Sequence, residues 1–115
     1  MTDIQRTDTS RRMSQIVDHG NLIWLAGKCG APHTSVREQT ETVLSIIDNL
    51  LAEAGTDKTK ILQVTIWLSN VDGFEEMNAV WDTWLPDGCA PVRACGEFKL
   101  AGEGWDIEII CVVAK

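Results

Sequence analysis

Ala90-Pro91-Val92-Arg93-Ala94-Cys95-Gly96-Glu97-Phe98-Lys99-Leu100-Ala101-Gly102-Glu103-Gly104-Trp105-Asp106-Ile107-Glu108-Ile109-Ile110-Cys111-Val112-Val113 is the stretch on which the fold turns. It reads as two β-strands joined by a polar, glycine-rich bend at Ala101-Gly102-Glu103-Gly104. The first strand holds Arg93 among Val92, Ala94 and Cys95; the second holds Glu108 among Ile107, Ile109 and Ile110. Charge in a strand that reads as buried costs free energy unless it is paired or engaged by a ligand. Residue type and position conflict at Arg93 and Glu108, which makes both candidate functional groups.

Working outward, Met13–Val17 and the apolar run Leu22–Gly27 flank the turn signal Asp18-His19-Gly20-Asn21, predicting a hairpin. Ser35 and Glu38 have capping-box spacing. Val43, Leu44, Ile47, Leu50, Leu51 and Ala54 then form one apolar stripe ended by Gly55, which predicts a helix. Ile61, Val64, Ile66 and Leu68 predict a strand. A second helix is expected from Asp72 as cap, with Phe74, Met77, Trp81, Trp84 and Leu85 as its apolar face, up to Pro86-Asp87-Gly88. Residues 1–12 are polar and predict a frayed or edge segment. The order ββαβαββ points to an α+β fold with one sheet and two helices on one face. The last strand is apolar on both faces, so another subunit is the expected cover for the second face.

The 115 residues suit a single domain. A net charge of -7 with scattered basic residues, only Arg11 and Arg12 being adjacent, argues against nucleic acid as a partner. Cys29, Cys89, Cys95 and Cys111 show neither Cys-x-x-Cys nor zinc spacing, so no metal is expected. Met1–Arg12 lacks an apolar leader core, and no apolar run reaches ~18 residues. A cytoplasmic protein with reduced thiols and no membrane span is expected.

Gly20-Asn21-Leu22-Ile23, Phe74-x-x-Met77-Asn78 with Trp81, Ala90-Pro91-Val92-Arg93-Ala94-Cys95 and Ile107-Glu108-Ile109 together resemble the RidA/YjgF family. Within it they look closest to a short, divergent YoaB-like branch, and the likeness spans roughly residues 13 to 114. The resemblance implies a chorismate-mutase-like fold with one mixed sheet. It also implies a homotrimer with ligand clefts between subunits, and hydrolysis of 2-imino or enamino acids to 2-oxo acids and ammonia without a metal or organic cofactor.

On that resemblance Arg93 would clamp the substrate carboxylate, and Glu108 would position or activate water. Each has a plain alternative: Arg93 satisfied by Glu108 or by backbone carbonyls, and Glu108 as the partner of a basic residue at the subunit boundary. Cys95 and the backbone of Gly27 would line the cleft, as would Asn78. For the side chain of Cys95 a small buried hydrophobe is favoured over a nucleophile, as for Cys29, Cys89 and Cys111; Gly27 also reads as a strand end, and Asn78 equally as a helix-to-loop tie. Trp105 is a further cleft candidate. Met13 stands where characterised imine deaminases carry a cleft tyrosine, and Ala26 where they carry a serine. Both changes remove a hydroxyl and favour a rival reading, a non-catalytic binder of small carboxylates. A third reading, the ribonuclease of the family's older label, is opposed by the acidic charge and the lack of a basic patch.

Overall fold

The computed structural model describes residues 3–115. Seven strands form one mixed sheet: β1 (Gln5–Thr9), β2 (Ser14–His19), β3 (Leu22–Leu25), β4 (Lys28–Cys29), β5 (Ile61–Leu68), β6 (Val92–Glu97) and β7 (Ile107–Ala114). Two helices, α1 (Val36–Glu53) and α2 (Phe74–Trp84), pack on one face. The strand order is β1-β2-β3-β7-β5-β6, with β4 pairing β7 beyond the end of β3. Only β5 and β6 run parallel. The α+β class and the single mixed sheet with two helices hold as expected. The polar start supplies an edge strand, β1, and β4 is a further short addition to the expected order.

Alternation sets the two faces of the sheet. Along β7 the exposure alternates strictly: Ile107, Ile109, Cys111 and Val113 are buried under the helices, while Glu108, Ile110 and Val112 are half-buried on the other side. In β5, Val64, Ile66 and Leu68 join the core in register with Cys111, Ile109 and Ile107. Val43, Leu44, Ile47 and Leu51 of α1 and Met77 and Trp81 of α2 complete it. Ser35 caps α1 by accepting from the Glu38 amide at 3.1 Å, and Gly55 follows the helix at φ +79°. The second helix starts differently from the expectation. Asn70, not Asp72, makes the capping bond, accepting from Asp72 N at 2.9 Å at the head of a 3-10 turn that runs into α2.

The two quoted strands are not neighbours, since β5 lies between them. Their connection straddles the end of β5: Phe98 N donates to Leu68 O, and Ser69 N donates to Asp106 O, both at 2.9 Å. Gln39, fully buried on α1, locks this connection. Its Nε2 donates to Thr34 O, Gly104 O and Asp106 Oδ2, and its Oε1 accepts from Asp106 N at 2.8 Å. Ser69 Oγ donates to the other Asp106 oxygen at 2.6 Å. β7 is thus held two residues before Glu108.

Burial of the first quoted strand is corrected. Every residue of β6 is exposed, Val92 to 70%. β6 is the last strand of the sheet, so one edge and one face meet no other part of the chain. Its apolar content therefore reflects an uncovered surface, continuous with exposed Leu62 and Trp24 on the face away from the helices.

Candidate functional site

Arg93 lies in register with Val64, so its side chain leaves the sheet on the helix side. Its guanidinium sits 5.7 Å from the Phe74 ring centre and 5.4 Å from that of Trp81. Phe74, Asn78 and Trp81 fall on one side of α2 at four- and three-residue steps. Asn78 therefore lies between the two rings that carry the arginine. Its Oδ1 is buried and has no hydrogen-bond partner among the described residues. A buried amide oxygen without a donor is costly, which marks this spot as incomplete in the lone chain. Cys95 follows Arg93 on the same side of β6. Its thiol pKa is raised by burial, partly opposed by the Arg93 charge, so it is a poor nucleophile at neutral pH.

Glu108 belongs to the opposite face. It is in register with Trp67 on β5 and with Cys29 on β4. Gly27 faces it: a Cβ at Gly27 would overlap Glu108 Oε2. Cys29 Sγ donates to Glu108 Oε1 at 3.7 Å. Burial pushes the Cys29 thiol up to about 11, with the Glu108 charge and hydrogen bond adding to it and Lys28 opposing. Trp67 stacks on Phe98 with ring centres 4.4 Å apart beside this carboxylate. Lys28 Nζ donates to Gln15 Oε1 on the neighbouring strand.

A slip in register builds this arrangement. Trp24 faces Val112 on β7, but Lys28 faces Ile109, so one extra residue is inserted around Ala26-Gly27. The insertion reverses which side chains point away from the helices. It turns Cys29 toward Glu108 and presents bare Gly27 backbone to the carboxylate.

Arg93 and Glu108 do not meet within one chain. They stand two strands apart and three residues out of step along β5, roughly 14 Å between backbones at ordinary strand spacings. Their side chains leave on opposite faces, so no ion pair joins them within one chain. The ion pair found among the described residues is Lys115 with Asp18. Arg93 has no carboxylate partner among those residues.

The other expected site residues are placed as follows. Ala26 adjoins Gly27 and donates from its amide to Gln15 O at 2.9 Å. Met13 is 47% exposed in the β1–β2 turn, at the same end of the sheet as Gly27. Trp105 is taken up by structure: its Nε1 donates to Gly30 O at 2.7 Å and its ring fills the place a Cβ at Gly102 would need. It lines a hollow of about 730 Å³ formed by the β6–β7 connection. A smaller one, about 210 Å³, opens beside Arg93 at Gln63, Val92 and Ala94. Among the described residues no three His, Cys, Asp or Glu gather to hold a metal ion, and no helix is long and apolar enough to cross a membrane. Sequence reasoning missed Cys29, Gln39 and the inserted residue. The pattern Ala26-Gly27-Lys28-Cys29 after an apolar strand was the available signal, since glycine at a strand end marks bulges.

The profile of the family described as Endoribonuclease L-PSP matches residues 3–115. A RutC family protein of Haemophilus ducreyi is 37% identical over 112 residues, covering 96% of each chain. The RutC family protein YoaB of Escherichia coli is 35% identical over 111 residues, covering 96% of this chain and 97% of its own. The crystal structure of a YjgF family member from Neisseria meningitidis superimposes with a TM-score of 0.95 at 40% identity, covering 98% of this chain and 95% of that one. A more distant relative is the chloroplastic Reactive Intermediate Deaminase A of Arabidopsis thaliana. It is 29% identical over 106 residues, covering 86% of this chain and 56% of its own.

Proposed function

We propose that this chain, which belongs to the YjgF/RidA (endoribonuclease L-PSP) family, hydrolyses small 2-imino or enamino carboxylates to 2-oxo acids and ammonia in clefts between copies of itself. The observation that carries this reading is the separation of Arg93 and Glu108. An arginine without a carboxylate partner among the described residues is held over two aromatic rings on one face. A carboxylate seated against bare backbone stands on the other. A small substrate reaches both only where Arg93 of one copy meets Glu108 of the next, and the uncovered face and exposed β6 edge offer the surface for that meeting. The printed name of the Arabidopsis relative supports the reaction class.

In this mechanism Arg93 grips the substrate carboxylate with two parallel donors. Asn78, between the rings, offers its unpartnered oxygen to a donor on the substrate or on the guanidinium. Water adds to the imine carbon. Glu108 takes a proton from that water and returns it to nitrogen, and the carbinolamine collapses to a 2-oxo acid as ammonia leaves. An enamine enters as its imine tautomer.

The test is ammonia release from freshly generated 2-iminobutanoate and 2-iminopropanoate, with light scattering on the same sample. Acceleration by a trimer, lost in Arg93→Ala, is the expected result. A folded trimer that binds small carboxylates through Arg93 without turnover selects the binding-module reading, which the missing hydroxyls at Met13 and Ala26 favour. A stable monomer removes the shared cleft.

A further inference from the structure

We infer that Cys29 is a positioning residue for Glu108: its thiol and the bare backbone of Gly27 hold the two carboxylate oxygens in one orientation. The inference rests on the role given to Glu108 above. Three independent features lead to it. Cys29 Sγ donates to Oε1 at 3.7 Å, a normal length for a sulfur donor. Oε2 fills the space in front of Gly27, where any β-carbon would overlap it. The residue inserted between β3 and β4 is what brings Cys29 onto this face; without it Lys28 would stand there instead. A lysine opposite Glu108 would form an ion pair and take the carboxylate out of use as a proton acceptor. The thiol donates one weak bond and carries no charge, so it fixes direction while leaving the carboxylate free to accept a proton from water.

The chemistry of the pair suits that part. The thiol stays protonated at neutral pH because burial, the Glu108 charge and the shared hydrogen bond oppose its ionisation more than Lys28 favours it. A donor that remains a donor across the working range is what a positioning contact needs, and the same suppression of ionisation makes the thiol a poor nucleophile.

The experiment has two arms. In the first, alkylation of Cys29 by iodoacetamide is followed against pH by peptide mass spectrometry in wild type and Glu108→Gln. Removing the neighbouring charge should raise the thiolate fraction, and so the rate at a fixed pH, by about tenfold for each unit of thiol pKa lost. Equal rates in the two proteins would overturn the pairing. This arm needs no turnover, so it decides the pairing even if the deaminase reading fails. In the second, ammonia release is measured for Cys29→Ala and Cys29→Ser. A positioning role lowers kcat about tenfold in the alanine variant at nearly constant KM, with partial recovery in the serine variant, which keeps a donor. An unchanged kcat in a folded Cys29→Ala protein would overturn the role. If wild type shows no turnover, a crystal structure of Cys29→Ala replaces this arm. The carboxylate should have turned away from Gly27, and an unmoved carboxylate overturns the inference.

Discussion

β6 and β7 are built from similar apolar residues and do opposite work. β7 is paired along both edges, with its helix-side residues at the centre of the core. Its Glu108 is seated against a backbone gap and accepts from a thiol. β6 is an edge strand exposed at every residue, and among the described residues its Arg93 is held by two ring faces alone. The difference separates a preorganised group from an adaptable one. Cation–π contact steers a guanidinium without using its N–H donors, so the arginine can swing onto a ligand at modest cost. The carboxylate has no such freedom. Because the sheet stands between the two, the proposed hydrolysis calls on Arg93 of one copy and Glu108 of another.

The sharpest way to break this comparison is complementation. Arg93→Ala and Glu108→Gln should each lose activity by about 100-fold or more, the scale of a charge-assisted contact or a proton acceptor. Mixed after unfolding and refolded together, they should regain roughly a quarter of wild-type activity, because a site between subunits pairs intact halves at that frequency. No recovery would mean that both groups serve one chain. Next in size, Gly27→Ala should cut turnover by about 10- to 100-fold with a smaller loss of stability, since its β-carbon overlaps the carboxylate and only crowds the Ile110 side chain.

Gln39→Ala tests how β7 is held. It strands buried polar groups of the Asp106 cluster and should cost about 2–4 kcal/mol in urea unfolding. Hydrogen exchange should rise around Asp106–Glu108 before it rises in β6. The last effect lies on the core side of β7 and is absent at neutral pH. Burial pushes the Cys111 thiol up to about 12 from an ordinary 9.0. The unfolded chain therefore loses that proton first. Stability should be complete below pH 9.0 and fall as pH rises toward the folded value, by about 1.4 kcal/mol per unit from this thiol. Cys111→Val should flatten that fall.

Much of this contrast was legible in the sequence, and the remainder had physical reasons to be hidden. The side-chain cap at Ser35, the stripe of α1 and the turn around His19-Gly20 follow from local chemistry, and each is present. Arg93 and Glu108 stood out because charge conflicted with apolar surroundings. That conflict was real at β7 and misleading at β6, because apolar residues at an edge look like apolar residues in a core until strand order is known. The cap of the second helix moved from Asp72 to Asn70 because a 3-10 turn precedes α2, and either residue can cap. Cys29 was read as a small hydrophobe because its partner lies 79 positions away, across a pairing shifted by one residue. Gln39 was invisible for the same reason: its value lies in partners on distant loops.

The face turned away from the helices carries one more consequence, an optical one. Trp24 stands on it at 39% exposure, in register with Val112. An indole in contact with water emits at longer wavelength than one enclosed by apolar groups. Any layer that covers this face strips water from Trp24 and shifts its emission to the blue. The contribution of Trp24 to the emission of the five tryptophans, taken as the difference from Trp24→Phe and followed on dilution, therefore tracks how much of the sheet is covered, with no label attached.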